Sequence, residues 1–289
     1  MGDVSPAMLG RTGRILRMFG RLLFVFCALM LMTGCVRQPH ILSWEEYSRR
    51  SHTWPYVARI ETPKGRLLYY GAAHTKDVKD PQISEIERMW SEFRPDKAFN
   101  EGGDPPTEKT EQEAVNRWGE PGLIRFLAQR DNVTVQSLDP TRASEVADLT
   151  KKFSPEQVKF FFILRTVSEY GRVYQGSTKT LDEELERVFP IYETVPGLDG
   201  APKSILELQS MYAQYFPNKG QFRDARASWF DPTESETFLN DISRRSSLYR
   251  DQYMVRLLTE EVRRGKRVFA VVGGSHVVRQ ELALRRSLR

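Results

Sequence analysis

Two segments of the chain share one pattern, in which a short apolar run is followed by a glycine, two small residues and a histidine. The first segment turns at Gly71 and ends at His74, and the second turns at Gly273 and ends at His276. Each apolar run is rich in β-branched or aromatic residues and is bounded by polar ones, which is typical of a buried strand. The glycine lets the backbone turn as it leaves the sheet. Because open α/β folds bind ligands at the carboxyl edge of the sheet, the pattern predicts that both histidines lie there, side by side.

The two histidines are informative because the chain has only four. The alternative is that two strands end in ordinary turns that carry surface histidines. We expect His276 to lie at the sheet edge, after its two glycines, rather than in the core.

The rest of the chain alternates short strands with helices before a long helical stretch. A β-hairpin is predicted over 56–62 and 66–70, strands over 97–100 and 133–138, and helices over 80–93 and about 119–130. From 141 to about 264 the pattern is helical, and Ser154 and Gln157 form a predicted capping box. The last strand is predicted over 266–272. The sequence therefore predicts an α/β fold with a mainly parallel sheet, flanking helices and a large helical insertion before the last strand.

The first 34 residues are predicted to be a signal peptide. Four arginines precede an apolar run over 22–32 that is too short to span a bilayer comfortably. The run ends in Leu31-Met32-Thr33-Gly34-Cys35, which resembles the lipobox of bacterial lipoproteins, whose cysteine is diacylated and begins the mature chain. The alternative is an uncleaved anchor with an incidental cysteine. We expect Cys35 to carry the lipid, residues 35–55 to be an irregular tether, and 56–289 to form one α/β domain.

The charge and composition of the mature chain indicate which classes of partner to expect. The signal peptide holds four arginines and one aspartate, so its removal lowers the net charge from +5 to about +2. No basic stripe with interleaved aromatic residues is present, so the sequence gives no indication of nucleic-acid binding. The expected partners are a membrane, reached through the lipid, and a small-molecule or peptide substrate. The expected location is the bacterial cell envelope, facing the periplasm.

Polar residues follow several of the predicted strands and form a candidate site. His74, Glu101 and His276 each come after a strand, and Asp139 ends a further one. Two imidazoles and a carboxylate are a ligand set typical of a catalytic divalent metal ion, which would activate a bound water. Without metal, the same residues could act as general base and acid. For Glu101 the simpler interpretation is a surface loop residue before two glycines.

Arg250 is a further candidate because it shares a helix face with apolar residues. Positions 250, 254 and 257 lie on one side of the predicted helix over 234–264, so Arg250 points the same way as Met254 and Leu257. An arginine on an apolar face needs an anionic partner. That partner is either a structural carboxylate or an anionic group of a substrate.

These segments together resemble a known family. Gly71-x-x-His74, the strand ending in Glu101, the Arg250-Asp251-x-x-Met254 helix and Gly273-x-x-His276 resemble the TraB/GumN/Tiki superfamily, over about residues 56–285. The resemblance implies a Tiki-like or erythromycin-esterase-like α/β fold whose paired GxxH motifs and intervening glutamate form the active site. In the Tiki branch this is a protease site that uses manganese or cobalt, and other relatives include erythromycin esterases and a haem-binding lipoprotein.

The resemblance transfers roles to four residues of this chain. It implies catalytic roles for His74, Glu101, Arg250 and His276, with the two histidines and the glutamate as ligands of a divalent metal. Gly71 and Gly273 would support the site. The resulting hypothesis is a lipid-anchored hydrolase of peptide or ester bonds. The alternatives are a lipoprotein that binds haem or a metal complex without turnover, and an envelope assembly factor.

Overall fold

A five-stranded sheet lies at the centre of the part of the chain that the computed structural model describes, residues 40–173 and 178–289. The predicted signal peptide over 1–34 and the predicted lipidation site Cys35 lie outside the described residues. The strands are β1 (Tyr56–Glu61), β2 (Arg66–Ala72), β3 (Lys97–Asn100), β4 (Thr134–Ser137) and β5 (Arg267–Gly273).

The order of the strands brings the end of the chain back beside its beginning. The sheet order is β1-β2-β5-β3-β4, with β1 antiparallel to β2 and all other neighbours parallel. Gly71 of β2 pairs with Val272 of β5, and Asn100 of β3 pairs with Val271. The four parallel strands therefore end at the same edge, which is the edge that the sequence predicts for the site.

Helices cover both faces of the sheet. They are α1 (Trp44–Ser48), α2 (Pro81–Phe93), α3 (Glu111–Trp118), α4 (Glu120–Arg130), α5 (Arg142–Leu149), α6 (Pro155–Val173), α7 (Leu181–Glu193), α8 (Ile205–Tyr215), α9 (Phe238–Arg263) and α10 (Gly274–Ser287). Neighbouring residues of a strand point to opposite faces, so Leu68 packs in a core with α2 and α4, whereas Tyr69 packs in a core with α9 and α10. Both side chains are fully buried, which explains the continuous apolar run of β2.

The helical insertion has a core of its own. The apolar run over 158–164 in α6 is buried there, and it packs with residues of α7, α8 and the start of α9. The predicted capping box is confirmed, because the Ser154 hydroxyl accepts the Gln157 backbone N–H at 3.2 Å and the side-chain Oε1 of Gln157 accepts the Ser154 backbone N–H at 3.0 Å. Within the described residues, none of the helices combines the length and apolar character needed to cross a membrane.

The predicted fold class is confirmed, with two local differences. Helix α3 is not predicted, because its apolar face is short. The predicted irregular tether over 35–55 is in part ordered: Ser43 caps α1, and Leu42 is buried against α10. The Leu42 N–H donates to the Arg279 carbonyl at 3.0 Å, and the Arg279 side chain donates to the Leu42 carbonyl at 2.9 Å. Residues from His40 onward therefore belong to the folded unit rather than to a free linker.

Candidate active site

The candidate site residues lie just beyond the carboxyl ends of the parallel strands. His74 follows β2, Glu101 follows β3 and Asp139 follows β4. His276 lies in the first turn of α10, directly after β5, and Arg250 reaches the same edge from α9. The structure brings all five residues together around the Glu101 carboxylate.

The Glu101 side chain is held from several directions. Its Oε1 atom lies 2.6 Å from Nη2 of Arg250 and 3.4 Å from Nε2 of His276. Its Oε2 atom accepts the backbone N–H of Gly273 at 2.7 Å. Burial by itself would raise the pKa of Glu101, but the His276 and Arg250 cations hold that pKa well below its usual value. Glu101 is therefore an ionised, largely buried carboxylate, and the interpretation of a surface loop residue is wrong.

Arg250 pairs with two carboxylates of the protein itself. Its Nη2 atom lies 2.7 Å from Oδ1 of Asp139 as well as 2.6 Å from Glu101. The Asp139 Oδ2 atom accepts the N–H groups of Gly102 at 2.7 Å and Gly103 at 3.1 Å. The structural ion pair is thus the partner that the apolar helix face requires. The guanidinium still lines a cleft, since 21% of the side chain is exposed.

His276 lies at the predicted edge of the sheet, but it is buried in a polar network. The expectation that it lies outside the core is therefore wrong. Its Nδ1 atom lies 2.5 Å from Oδ1 of Asp251, and the same oxygen accepts the Gln280 amide at 2.7 Å. Arg279 lies 2.5 Å from the second Asp251 oxygen. Burial opposes the charged form, but the carboxylates of Glu101 and Asp251 raise the pKa of His276 to about 9. At neutral pH it is an imidazolium between two carboxylates.

His74 is the accessible histidine of the site. Its backbone has a left-handed φ of 45°, and 61% of its side chain is exposed. Its Nδ1 atom lies 3.6 Å from Oε2 of Glu120, a carboxylate that is only 3% exposed and that also accepts the Thr75 N–H at 2.7 Å. Glu120 raises the pKa of His74 above its ordinary value. The close approach requires a glycine before Glu120, because a Cβ on Gly119 would lie 2.6 Å from the Thr75 carbonyl oxygen.

The two motif glycines leave room for different neighbours. A Cβ on Gly71 would lie 2.8 Å from the Cα of Gly274, so the first glycine lets the two motifs pack together. A Cβ on Gly273 would lie 2.8 Å from Nε2 of His74 and 3.4 Å from Oε2 of Glu101. The second glycine therefore lets the imidazole and the carboxylate pack close to the backbone and to each other.

The Glu101 and Arg250 side chains open into a cleft between the sheet edge and the helical insertion. The cleft has a volume of about 540 Å³. On the insertion side, the rings of Phe162 and Tyr192 stack with centroids 5.6 Å apart, and the Arg142 guanidinium lies 4.3 Å from the Phe162 ring. The site therefore joins a charged floor to a wall of aromatic rings and arginine, which is suited to a small molecule or a peptide.

The predicted metal ligands do not fit a metal centre in this geometry. Across residues 40–173 and 178–289, no group of three or more His, Cys, Asp or Glu side chains is arranged to hold a metal ion. His276 faces Oε1 of Glu101 while its other nitrogen is engaged by Asp251, and His74 lies on the Oε2 side. The Arg250 guanidinium occupies the position between the carboxylates. The resemblance to manganese or cobalt enzymes thus has no counterpart in these contacts.

Three residues of the site are not predicted from the sequence. Asp251 and Gln280 complete the network around His276, and Glu120 lies behind His74. Gln280 follows His276 by one helical turn, which was a usable signal. Asp251 directly follows Arg250 in the Arg250-Asp251-x-x-Met254 motif. For Glu120 the signal was weaker: it begins a helix after a glycine, far from either histidine in sequence.

No protein-family model, curated protein or solved structure matches this chain. The resemblance to the TraB/GumN/Tiki superfamily therefore stays a prediction that rests on the motif residues.

Proposed function

We propose that this protein is a hydrolase of ester or peptide bonds that acts at the carboxyl edge of its sheet. The observation that carries the proposal is the approach of two side-chain atoms to the same side of Gly273. Nε2 of His74 and Oε2 of Glu101 lie 2.8 Å and 3.4 Å from the point that a Cβ on Gly273 would take. Each of these two side chains is paired with a side chain of the opposite kind. Glu120 lies beside His74, and Arg250 lies beside Glu101. An accessible histidine that a buried carboxylate orients is the arrangement of a general base.

His74 is the group that moves the proton in this proposal. Because its Nδ1 atom faces Glu120, Nε2 is the nitrogen that accepts a proton from a water molecule held beside Glu101. The water oxygen bonds to the substrate carbonyl carbon. The bond to the leaving oxygen or nitrogen then breaks as His74 returns the proton to that atom.

Arg250 and His276 supply the positive charge of the site. They keep Glu101 ionised, so that it can orient the water by accepting a hydrogen bond. Arg250 also lines the cleft, where a cation stabilises the negative charge that develops on the carbonyl oxygen. His276 is fixed by Asp251 and acts by holding Glu101 in place rather than by taking a proton.

The place of action is the bacterial cell envelope, with the chain anchored through lipid on Cys35. The support is the order of basic region, apolar run and lipobox in the sequence. A lipid anchor would hold the described unit at a membrane surface.

The test is a screen of chromogenic esters and fluorogenic peptides with the full chain purified in detergent. We expect turnover of one substrate class, and a loss of about 100-fold or more in each of His74→Ala, Glu101→Gln and His276→Ala. The triple variant should be little worse than any single one, because cooperating groups are not additive. His40→Ala is the matched control, since that histidine is half exposed and contacts Glu46 instead of the site.

Two outcomes would overturn the hydrolase proposal. One is the absence of turnover by the wild-type chain across the screen. The other is turnover that the three site variants retain at the wild-type rate. A wild-type chain that binds haem but hydrolyses nothing would support the non-catalytic alternative instead.

A further inference from the structure

We infer that the Arg250 guanidinium is the resident cation of this site and holds the position that a divalent metal ion would take between Glu101 and Asp139. A single nitrogen, Nη2, lies 2.6 Å from Oε1 of Glu101 and 2.7 Å from Oδ1 of Asp139. Divalent ions bind carboxylate oxygens at about 2.0–2.6 Å. The two oxygens therefore surround one point at nearly metal-ligand distance, and the arginine fills that point.

The carboxylates are fixed in this arrangement by the backbone. The second oxygen of Glu101 accepts the Gly273 N–H, and the second oxygen of Asp139 accepts the N–H groups of Gly102 and Gly103. Each carboxylate thus turns one oxygen to the backbone and the other to Arg250. We call the point between Oε1 of Glu101 and Oδ1 of Asp139 the seat. Backbone N–H groups at the ends of β3 and β5 help to hold both of its carboxylates in addition to the arginine.

The charges around the seat are balanced without a metal ion. Glu101, Asp139 and Asp251 face three cations, which are Arg250, His276 and Arg279. A divalent ion added to this cluster would bring two uncompensated positive charges next to a guanidinium in a largely buried place. The wild-type seat should therefore reject manganese and cobalt while Arg250 is in place.

Removal of the guanidinium should convert the seat into a metal site. With Arg250→Ala, two fixed carboxylate oxygens lose their shared cation and remain facing one point, with Nε2 of His276 3.4 Å from one of them. Carboxylate oxygens, with water completing the coordination, suit Mn²⁺. Arg250→Gln should do the same with a smaller loss of volume, whereas Arg250→Lys keeps a cation and should keep the metal out.

The test is a titration of the full chain in detergent with Mn²⁺, followed by calorimetry and by thermal unfolding. The wild type and Arg250→Lys should show no saturable binding and no thermal shift. Arg250→Ala and Arg250→Gln should bind at least about tenfold more tightly and unfold at higher temperature when Mn²⁺ is present. Adding Asp139→Asn to either variant should abolish the gain. Arg245→Ala is the matched control, because it lies on the same helix and pairs with Asp148 away from the seat.

The inference is overturned if the wild-type chain binds one Mn²⁺ or Co²⁺ with Arg250 intact. It is also overturned if Arg250→Gln folds, as judged by circular dichroism, yet gains no affinity. Neither readout requires turnover, so a failed substrate screen and a failed metal prediction are separate results. The wild-type titration decides the question even if Arg250→Ala does not fold.

Discussion

The Nε2 atom of His74 lies 2.8 Å from the point where a Cβ on Gly273 would stand. The backbone at Gly273 has φ −58° and ψ 139°, a conformation that any L-residue adopts. This glycine is therefore required for space in the site and not for the path of the chain. Gly71 differs, because its missing Cβ would meet backbone atoms.

The first prediction is that Gly273→Ala separates activity from stability. The new methyl group would displace the exposed His74 imidazole from its place beside Glu101, so hydrolysis should fall by about tenfold or more. The melting temperature should change little, because the displaced group is the end of a side chain. Enzyme assays and thermal unfolding on the same sample measure both effects.

Gly71→Ala serves as the contrasting variant. Its Cβ would lie 2.8 Å from the Gly274 Cα and 2.9 Å from the Tyr56 carbonyl oxygen, and neither backbone atom can move freely. We expect a loss of about 1–3 kcal/mol in the free energy of unfolding. Equal stability losses in both variants would contradict the distinction between the two glycines.

The second prediction concerns Asp251, which is fully buried and contacts both His276 and Arg279. Asp251→Asn keeps the shape but leaves two buried cations without their carboxylate. The free energy of unfolding should fall by about 3–5 kcal/mol, as measured by urea denaturation. Asp241→Asn on the same helix is the control, because that aspartate is 60% exposed and should contribute less than about 1 kcal/mol. A loss that small for Asp251→Asn would show that the network is not stabilising.

The third prediction is a dependence of stability on pH that arises from Glu87 on α2. Burial and a hydrogen bond with Glu111 raise the pKa of Glu87 from 4.5 to about 7. Between these two values the folded state binds more protons than the unfolded state, so stability falls as pH rises through that range. Glu87→Gln should remove this part of the dependence.

Urea denaturation of the wild type and of Glu87→Gln, at pH values from below 4.5 to above 7, measures this dependence. Above pH 7 the free energy of unfolding of Glu87→Gln should exceed that of the wild type. Below pH 4.5 this difference should be absent. A difference between the two proteins that does not change with pH would refute the assignment to Glu87.

The fourth prediction is that Cys35 carries lipid. Cys35→Ala should block metabolic labelling with a fatty acid and release the protein from the membrane fraction, because stable anchoring depends on the acyl chains. Labelling and membrane fractionation of cells that express each protein are the measurements. Unchanged labelling in the variant would rule out this anchor.

Local patterns in the sequence determined the fold class and the edge at which the site lies. Apolar runs, caps and glycines act on neighbouring residues, so β2, β5 and the helices α2 and α4 are predicted within a few residues of their observed bounds. Parallel strands share one carboxyl edge, and this rule alone places His74, Glu101 and His276 in one region.

Only the tertiary structure decided which charges meet there. Arg250 is equally consistent in sequence with a substrate anion and with a structural carboxylate, and the fold places its nitrogen between Glu101 and Asp139. Glu120 comes to His74 because a loop and a helix start pack closely, which no short pattern encodes. Partners that are far apart in sequence are selected by packing and by the cost of burying an unpaired charge, and both depend on the whole fold.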